Sequence, residues 1–190
     1  AIRHLPGIAL KPNHCLITYL YRIKRANTNH GGAVTWAMAN QLSTTSHLEA
    51  ALATTDDYST PPYPEGALLN YMDAITGNLT PASFLIASVL QRELQEFGRC
   101  GQFHRWHHHR LIGNIPKQRH WKWRLEQPQN LNPKVHSLPN GKIAVEFYTC
   151  RIVPPISIFR HIDRYACNSY VAKASNQAIA AALQQTSKPA

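Results

Sequence analysis

Acidic residues are scarce in this chain and unevenly placed. Its 190 residues include ten aspartates and glutamates against twenty lysines and arginines. Residues 1–25 contain no acid, and the stretch from Arg99 onward has three acids against fourteen basic residues, a net charge of about +11. Residues 26–98 alone are acidic, with seven acids against Arg92. This distribution favours a polyanionic partner for the C-terminal half.

Cysteines and long apolar runs are also few. Cys15, Cys100, Cys150 and Cys167 form no CxxC pair, so free thiols are expected, although a Cys150–Cys167 pair is compatible with the sequence. No apolar run approaches the roughly 18–20 residues of a membrane span. The first residues are too short and too interrupted by proline for a signal peptide. We therefore expect a cytoplasmic protein that does not enter membranes, while a leader removed ahead of residue 1 is not ruled out.

The patterns predict one α+β domain over residues 1–190. We expect a helical N-terminal half, then a C-terminal antiparallel β-meander followed by helix. Within it, residues 26–98 form an acidic helical part, and residues 99–190 form the basic meander plus the C-terminal helix.

Individual elements follow from local signals. Residues 14–25 fit a strand or a short helix, whereas helices are expected over 33–55, 67–76 and from Thr80, with Pro81 at the first helical position. Alternation predicts a strand at HWKWRLE, residues 120–126, with both tryptophans on one side. Asn140-Gly141 predicts a tight hairpin turn. The segments 156–166 and 168–185 are interpreted as helix.

The stretch 99–124 supports the leading functional hypothesis, a nucleic-acid-binding protein or adaptor of a nucleoprotein assembly. It combines cations for phosphate with aromatic rings that stack on unpaired bases, and it contains no acid. We expect tryptophan burial in the core and a functional basic side. The candidate binding residues are Arg99, Arg105, Trp106, Arg110, Lys117, Arg119, Lys122, Trp123 and Arg124.

A metal-dependent nuclease is the alternative from another class. The candidate ligands for zinc or another divalent ion are His104, His107, His108 and His109. His107–His109 loosely resembles the His-hydrophobic-His motif of HUH nicking endonucleases, and Tyr170–Lys173 resembles their tyrosine motif, although His108 is not apolar. Neighbouring arginines oppose a dication, so no cofactor is the primary expectation.

Two further interpretations stay open. Residues 34–52 have part of the apolar frame of a helix-turn-helix, but no arginine or lysine lies in the would-be recognition helix. The basic surface also suits a protein–protein module with an acidic partner, and residues 26–98 suit a protein contact. The scattered acids give little support to acid–base catalysis.

Overall fold

The chain is mainly β, which corrects the helical N-terminal half and the C-terminal helix expected from the sequence. The computed structural model describes residues 4–25, 28–53, 63–97, 106–117 and 120–183, and these ranges contain ten strands and two α-helices. They group into two compact units, one of residues 1–106 with 168–171 and one of residues 107–167 with 172–190. We describe each unit by itself, and the single domain stays a prediction.

The first unit is built from two antiparallel strand pairs and two helices. β1 (Ile8–Leu10) pairs with β4 (Ile75–Gly77), and β2 (His14–Arg25) pairs with β3 (Thr28–Ala39). The helices are α1 (Thr45–Ala53) and α2 (Pro81–Phe97).

α2 confirms its sequence prediction. Thr80 caps it, since its Oγ1 accepts the Ser83 N–H at 3.3 Å and its carbonyl accepts the Phe84 N–H at 3.2 Å. Pro81 then stands at the first helical position, where its missing N–H is not needed. Gly98, the expected stop, lies outside the described residues.

The helix predicted over 33–55 is wrong in its first half. β3 pairs with β2 from His14 opposite Ala39 to Arg25 opposite Thr28, and a short 3-10 turn separates it from α1. Pairing along a β-branched and aromatic partner overrides the helix propensity of the alanines and Met38. The helix-turn-helix interpretation of residues 34–52 fails with it.

The helix predicted over 67–76 is also replaced. Tyr71–Ala74 form one 3-10 turn that the Asn70 side chain caps by accepting the Met72 N–H at 2.9 Å. The chain then enters β4, whose pairing with β1 fixes it as a strand.

The second unit is a six-stranded antiparallel sheet. Along the sheet the order is β5 (His109–Leu111), β8 (Ile143–Arg151), β9 (Ser157–Tyr165), β10 (Ala172–Ala182) and β6 (Trp121–Trp123). β7 (Lys134–Ser137) pairs with β8 beyond the end of β5. The hairpin predicted between β7 and β8 is confirmed, with Asn140 at φ 62° and Gly141 at φ 68°.

The helix predicted over 156–166 and 168–185 is wrong in the residues that the structure describes, because Ser157–Tyr165 form β9 and Ala172–Ala182 form β10. The run of small apolar residues at the end of β10 resembles a helix in composition, yet it lies between β9 and β6 and pairs with both. Sheet neighbours decide its structure, not alanine propensity.

A compact hydrophobic cluster forms on one face of this sheet. Its buried members are Leu131, Tyr148, Ile158, Ile179 and Ala180, and Ile112, Ile115, Trp121 and Trp123 pack against them half-buried.

Cys15, Cys150 and Cys167 are free thiols, and Cys100 lies outside the described residues. Neither α-helix in the described ranges has the length and apolar character needed to cross a bilayer.

Candidate nucleic-acid interface

The predicted basic residues that the structure describes are solvent-exposed in the second unit. They are Arg110, Lys117, Lys122 and Arg124. The Arg110 guanidinium donates to the carbonyls of His107 and His109 at 2.7 and 2.9 Å, so it is partly engaged by its own turn. Arg99, Arg105 and Arg119 lie outside the described residues.

The predicted tryptophans face inward to different extents. Trp106 belongs to the first unit and is buried, with its indole N–H donating to Glu93 at 2.7 Å and the Arg92 guanidinium 5.7 Å from its ring centre. Trp123 is half-buried against the cluster of the second unit. Alternation along β6 thus turns Trp123 inward and leaves Lys122 exposed, as the sequence predicts.

A cationic patch lies on the sheet face that carries Tyr148. Residues directly opposite each other on paired strands share a face. The register sets His136 opposite Ala144, Ala144 opposite Arg164, and Arg164 opposite Lys173, which makes one row across β7 to β10. Lys134, opposite Glu146, and Arg160, opposite Tyr148, share that face. The cationic patch is Lys134, His136, Arg160, Arg164 and Lys173.

Glu146 is the one acid that strands β7–β10 place on this face, and it is already bound. Arg160 donates to its two carboxylate oxygens at 3.1 and 3.0 Å, and the Tyr148 hydroxyl donates to it as well. Burial opposes ionisation of Glu146, but these hydrogen bonds and the Arg160 charge outweigh it, so the pKa of Glu146 is lowered. Burial and the hydrogen bond to Glu146 raise the pKa of Tyr148 to about 12. Glu146 is therefore held as an anion by Arg160, a member of the cationic patch.

The row places two like charges opposite each other on neighbouring strands. Arg164 and Lys173 stand directly opposite each other on β9 and β10, and both are exposed. Like charges in this position repel and destabilise the strand pair. A bound polyanion would relieve this repulsion.

The histidine cluster divides into two environments. The rings of His107 and His108 lie 3.7 Å apart in a turn ahead of β5. His109 begins β5 and turns toward Thr149 on β8. Among the described residues, no group of three or more His, Cys, Asp or Glu side chains is placed to hold a metal ion. His104 lies outside the described residues.

His109 starts a chain of hydrogen bonds that crosses four strands on the other face of the sheet. The Asn176 Oδ1 can only accept, so His161 donates to it from Nδ1 at 2.7 Å. In neutral His161, Nε2 then accepts from the Thr149 hydroxyl at 2.8 Å, and the Thr149 oxygen accepts from His109 Nδ1 at 2.8 Å. Thr149 and His161 are buried, and Phe147 stacks on the His161 ring at 4.7 Å. The chain orients both imidazoles and satisfies buried polar groups.

Tyr170, the tyrosine of the nicking-enzyme interpretation, belongs to the first unit. It is buried, its hydroxyl accepts the Leu79 N–H at 2.9 Å, and it shares a hydrogen bond of 2.7 Å with Ser83. Its hydroxyl is thus engaged in structural contacts at the start of α2.

No family model matches the chain, and no curated protein or solved structure shows significant similarity to it.

Sequence reasoning named none of the five members of the cationic patch as candidate binding residues. Lys134 and His136 were expected in a strand of the meander, whose ends were expected to belong to the basic face. Arg160 and Arg164 were assigned to a helix, as was Lys173. In the segment Ser157–Tyr165 the apolar residues Ile158, Phe159, Ile162 and Tyr165 have a helical spacing, so its local pattern gives no signal for the strand.

Proposed function

We propose that this protein binds nucleic acid through the second unit, with the cationic patch as the principal phosphate contact. The observation that carries the proposal is the concentration of charge on this unit. It has twelve lysines and arginines against three acids, whereas the first unit has eight against seven. Long-range attraction of a polyanion is governed by such an imbalance.

The state of the three acids strengthens this argument. Glu146 is neutralised by Arg160, and Asp163 is buried on the opposite face of the sheet. Glu126 alone stands exposed, in the loop after β6. Arg160 and Glu146 cancel each other's charge, so the net positive charge of the patch comes from Lys134, Arg164 and Lys173.

The exposed basic residues around β6 extend the proposed contact. Lys122 lies on the edge strand β6, where its position opposite Ala181 and Ser157 places it on the other face of the sheet from the cationic patch. Arg124 follows this strand and Lys117 precedes it. Arginine forks match two phosphate oxygens, and lysine acts as a point charge. These residues form a second set of proposed phosphate contacts at the sheet edge, separate from the patch. Trp106 is left out of the proposed contact because it is buried.

The test is fluorescence anisotropy with labelled single- and double-stranded DNA and RNA at two salt concentrations. We expect binding that weakens steeply with salt. No binding at low salt to any of the four probes would refute the proposal. Tight salt-sensitive binding to one acidic protein, with none to nucleic acid, would establish the protein–protein interpretation instead.

The same reactions, incubated with magnesium or manganese, test the nuclease alternative. We expect intact nucleic acid on denaturing gels. Cleavage that His107→Ala or His109→Ala abolishes while binding is retained would assign catalysis to the histidine cluster.

A further inference from the structure

A cavity of about 570 Å³ opens in the second unit beside β6. The segments 113–117 and 128–131 and the indole of Trp121 form its walls. Its volume lies within the range of small-molecule sites, roughly 300–1,000 Å³. The polar or charged lining side chains are Asn114, Lys117 and Gln129, and the apolar ones include Ile115, Trp121 and Leu131.

Contacts within the protein hold these walls in place. The Ile112 N–H donates to the Tyr148 carbonyl at 3.1 Å, which ties the first segment to β8. Leu131, buried in the cluster, anchors the second segment. The two segments approach so closely that a Cβ at Gly113 would lie 2.7 Å from Asn132 Oδ1. The cavity is therefore formed before any ligand arrives.

The lining defines the chemistry of the ligand. The indole N–H of Trp121 donates to the Pro116 carbonyl at 2.9 Å, so Trp121 offers the cavity ring surface and no hydrogen bond. The amides of Asn114 and Gln129 each present a donor and an acceptor. Lys117 adds an exposed cation. A flat ring with a hydrogen-bonding edge and a nearby negative charge matches all three features.

We propose that this cavity receives one unpaired base of a single-stranded nucleic acid. The inference rests on the proposed function and deepens it, since it selects single strands over duplex. Trp123 and Ile158 both stand opposite Ala180, so Trp123 lies on the face of Ile158, which is also the face of Arg160 two residues further on. Trp121, two residues before Trp123, therefore lies on the face of the cationic patch. A strand whose phosphates lie on the patch thus has its base pocket on the same face. Stacking on an aromatic ring works with any base, and the two amides add preference among bases.

The experiment compares two probes that carry equal charge. One is a single-stranded oligonucleotide of about 12 nucleotides, near the span of a single-strand-binding fold. The other has the same length and phosphates but abasic sugars throughout. Wild-type protein is compared with Gln129→Trp, which fills the cavity mouth from an exposed loop, and with Gln127→Trp, an exposed control two residues away that does not line the cavity.

We expect wild-type protein to bind the base-containing strand more tightly than the abasic strand by at least the contribution of one stacked base, roughly 5- to 150-fold. Gln129→Trp should lose that factor for the base-containing strand and bind the abasic strand as wild type does, with the same salt dependence. Gln127→Trp should behave as wild type with both probes.

Equal affinity of wild-type protein for the two strands overturns the base pocket and leaves phosphate binding standing. Absence of salt-dependent binding to either strand overturns the proposed function and the pocket together, so the two failures are distinguishable.

Discussion

The salt dependence of binding gives the sharpest prediction about the cationic patch. The triple variant Lys134→Gln, Arg164→Gln, Lys173→Gln removes three exposed charges, none of which contributes an apolar contact to the buried cluster. Arg160 is kept because it binds Glu146. Each phosphate contact on a single strand contributes about 0.7 to the slope of log affinity against log salt. The variant should therefore flatten that slope by about 2.

The slope converts to an affinity ratio that is easy to measure. Between about 50 mM and about 150 mM salt, a slope difference of about 2 makes the wild type lose about tenfold more affinity than the variant. Anisotropy titration of a labelled single strand at several salt concentrations gives both slopes. An unchanged slope in a folded triple variant would refute the patch as the phosphate contact.

A matched pair of single variants controls for charge alone. Lys173→Gln removes an exposed lysine from the patch, and Lys11→Gln removes an exposed lysine from the first unit. We expect a slope change of about 0.7 for the first and none for the second. Equal slope changes for the two variants would show that the net charge of the protein determines binding and that the position of the charge on the sheet does not.

Thermal unfolding checks that the triple variant is folded. Because the variant relieves the Arg164–Lys173 repulsion, it should be no less stable than the wild type.

Four further predictions concern β6 and individual hydrogen bonds. Replacing Arg119, Lys122 and Arg124 together by Gln should flatten the slope by roughly 2–3, measured in the same titration with duplex DNA; a folded variant with the wild-type slope would exclude this edge. Thr149→Val should lower the free energy of unfolding in urea by about 1–3 kcal/mol because it removes the hydrogen bonds of the buried Thr149 hydroxyl to His109 and His161. Thr149→Ser keeps the hydroxyl and should lose less; equal losses would contradict the hydrogen-bond chain. Glu146→Gln should destabilise the protein at neutral pH. Because the pKa of Glu146 is lowered in the folded protein, the stability difference between wild type and variant should be complete above the ordinary pKa of 4.5 and should vanish as the pH falls through the lowered pKa. A difference that persists in acid would argue against the ion pair. Tyr170→Phe should also cost about 1–3 kcal/mol in urea unfolding, and an unchanged stability would show that its hydroxyl contacts are dispensable.

The parts of the fold that sequence predicts are those that local chemistry dictates. Thr80 and Pro81 specify the start of α2 without help from the rest of the chain, and Asn140-Gly141 supplies the positive φ angles of the β7–β8 turn. Alternation of tryptophan and basic residues predicted β6 and the exposure of its lysine. Each signal acts within a few residues.

The parts that failed depend on pairing between distant segments. β3 and β10 contain many alanines, and alone they favour helix. Their structure is decided by β2 and by β9 with β6, partners that a local pattern does not reveal. The same error hid the cationic patch, because Arg164 and Lys173 become neighbours only when β9 and β10 pair. The candidate basic residues around β6, by contrast, lay within one continuous stretch.

The central claim is that nucleic acid lies on the sheet of the second unit. Hydrogen–deuterium exchange with mass spectrometry, with and without a saturating single-stranded oligonucleotide, tests it most directly. We predict slower exchange in peptides from β9 (Ser157–Tyr165) and β10 (Ala172–Ala182), and no change in α2. Protection confined to the first unit, with β9 and β10 unaffected, would contradict the account.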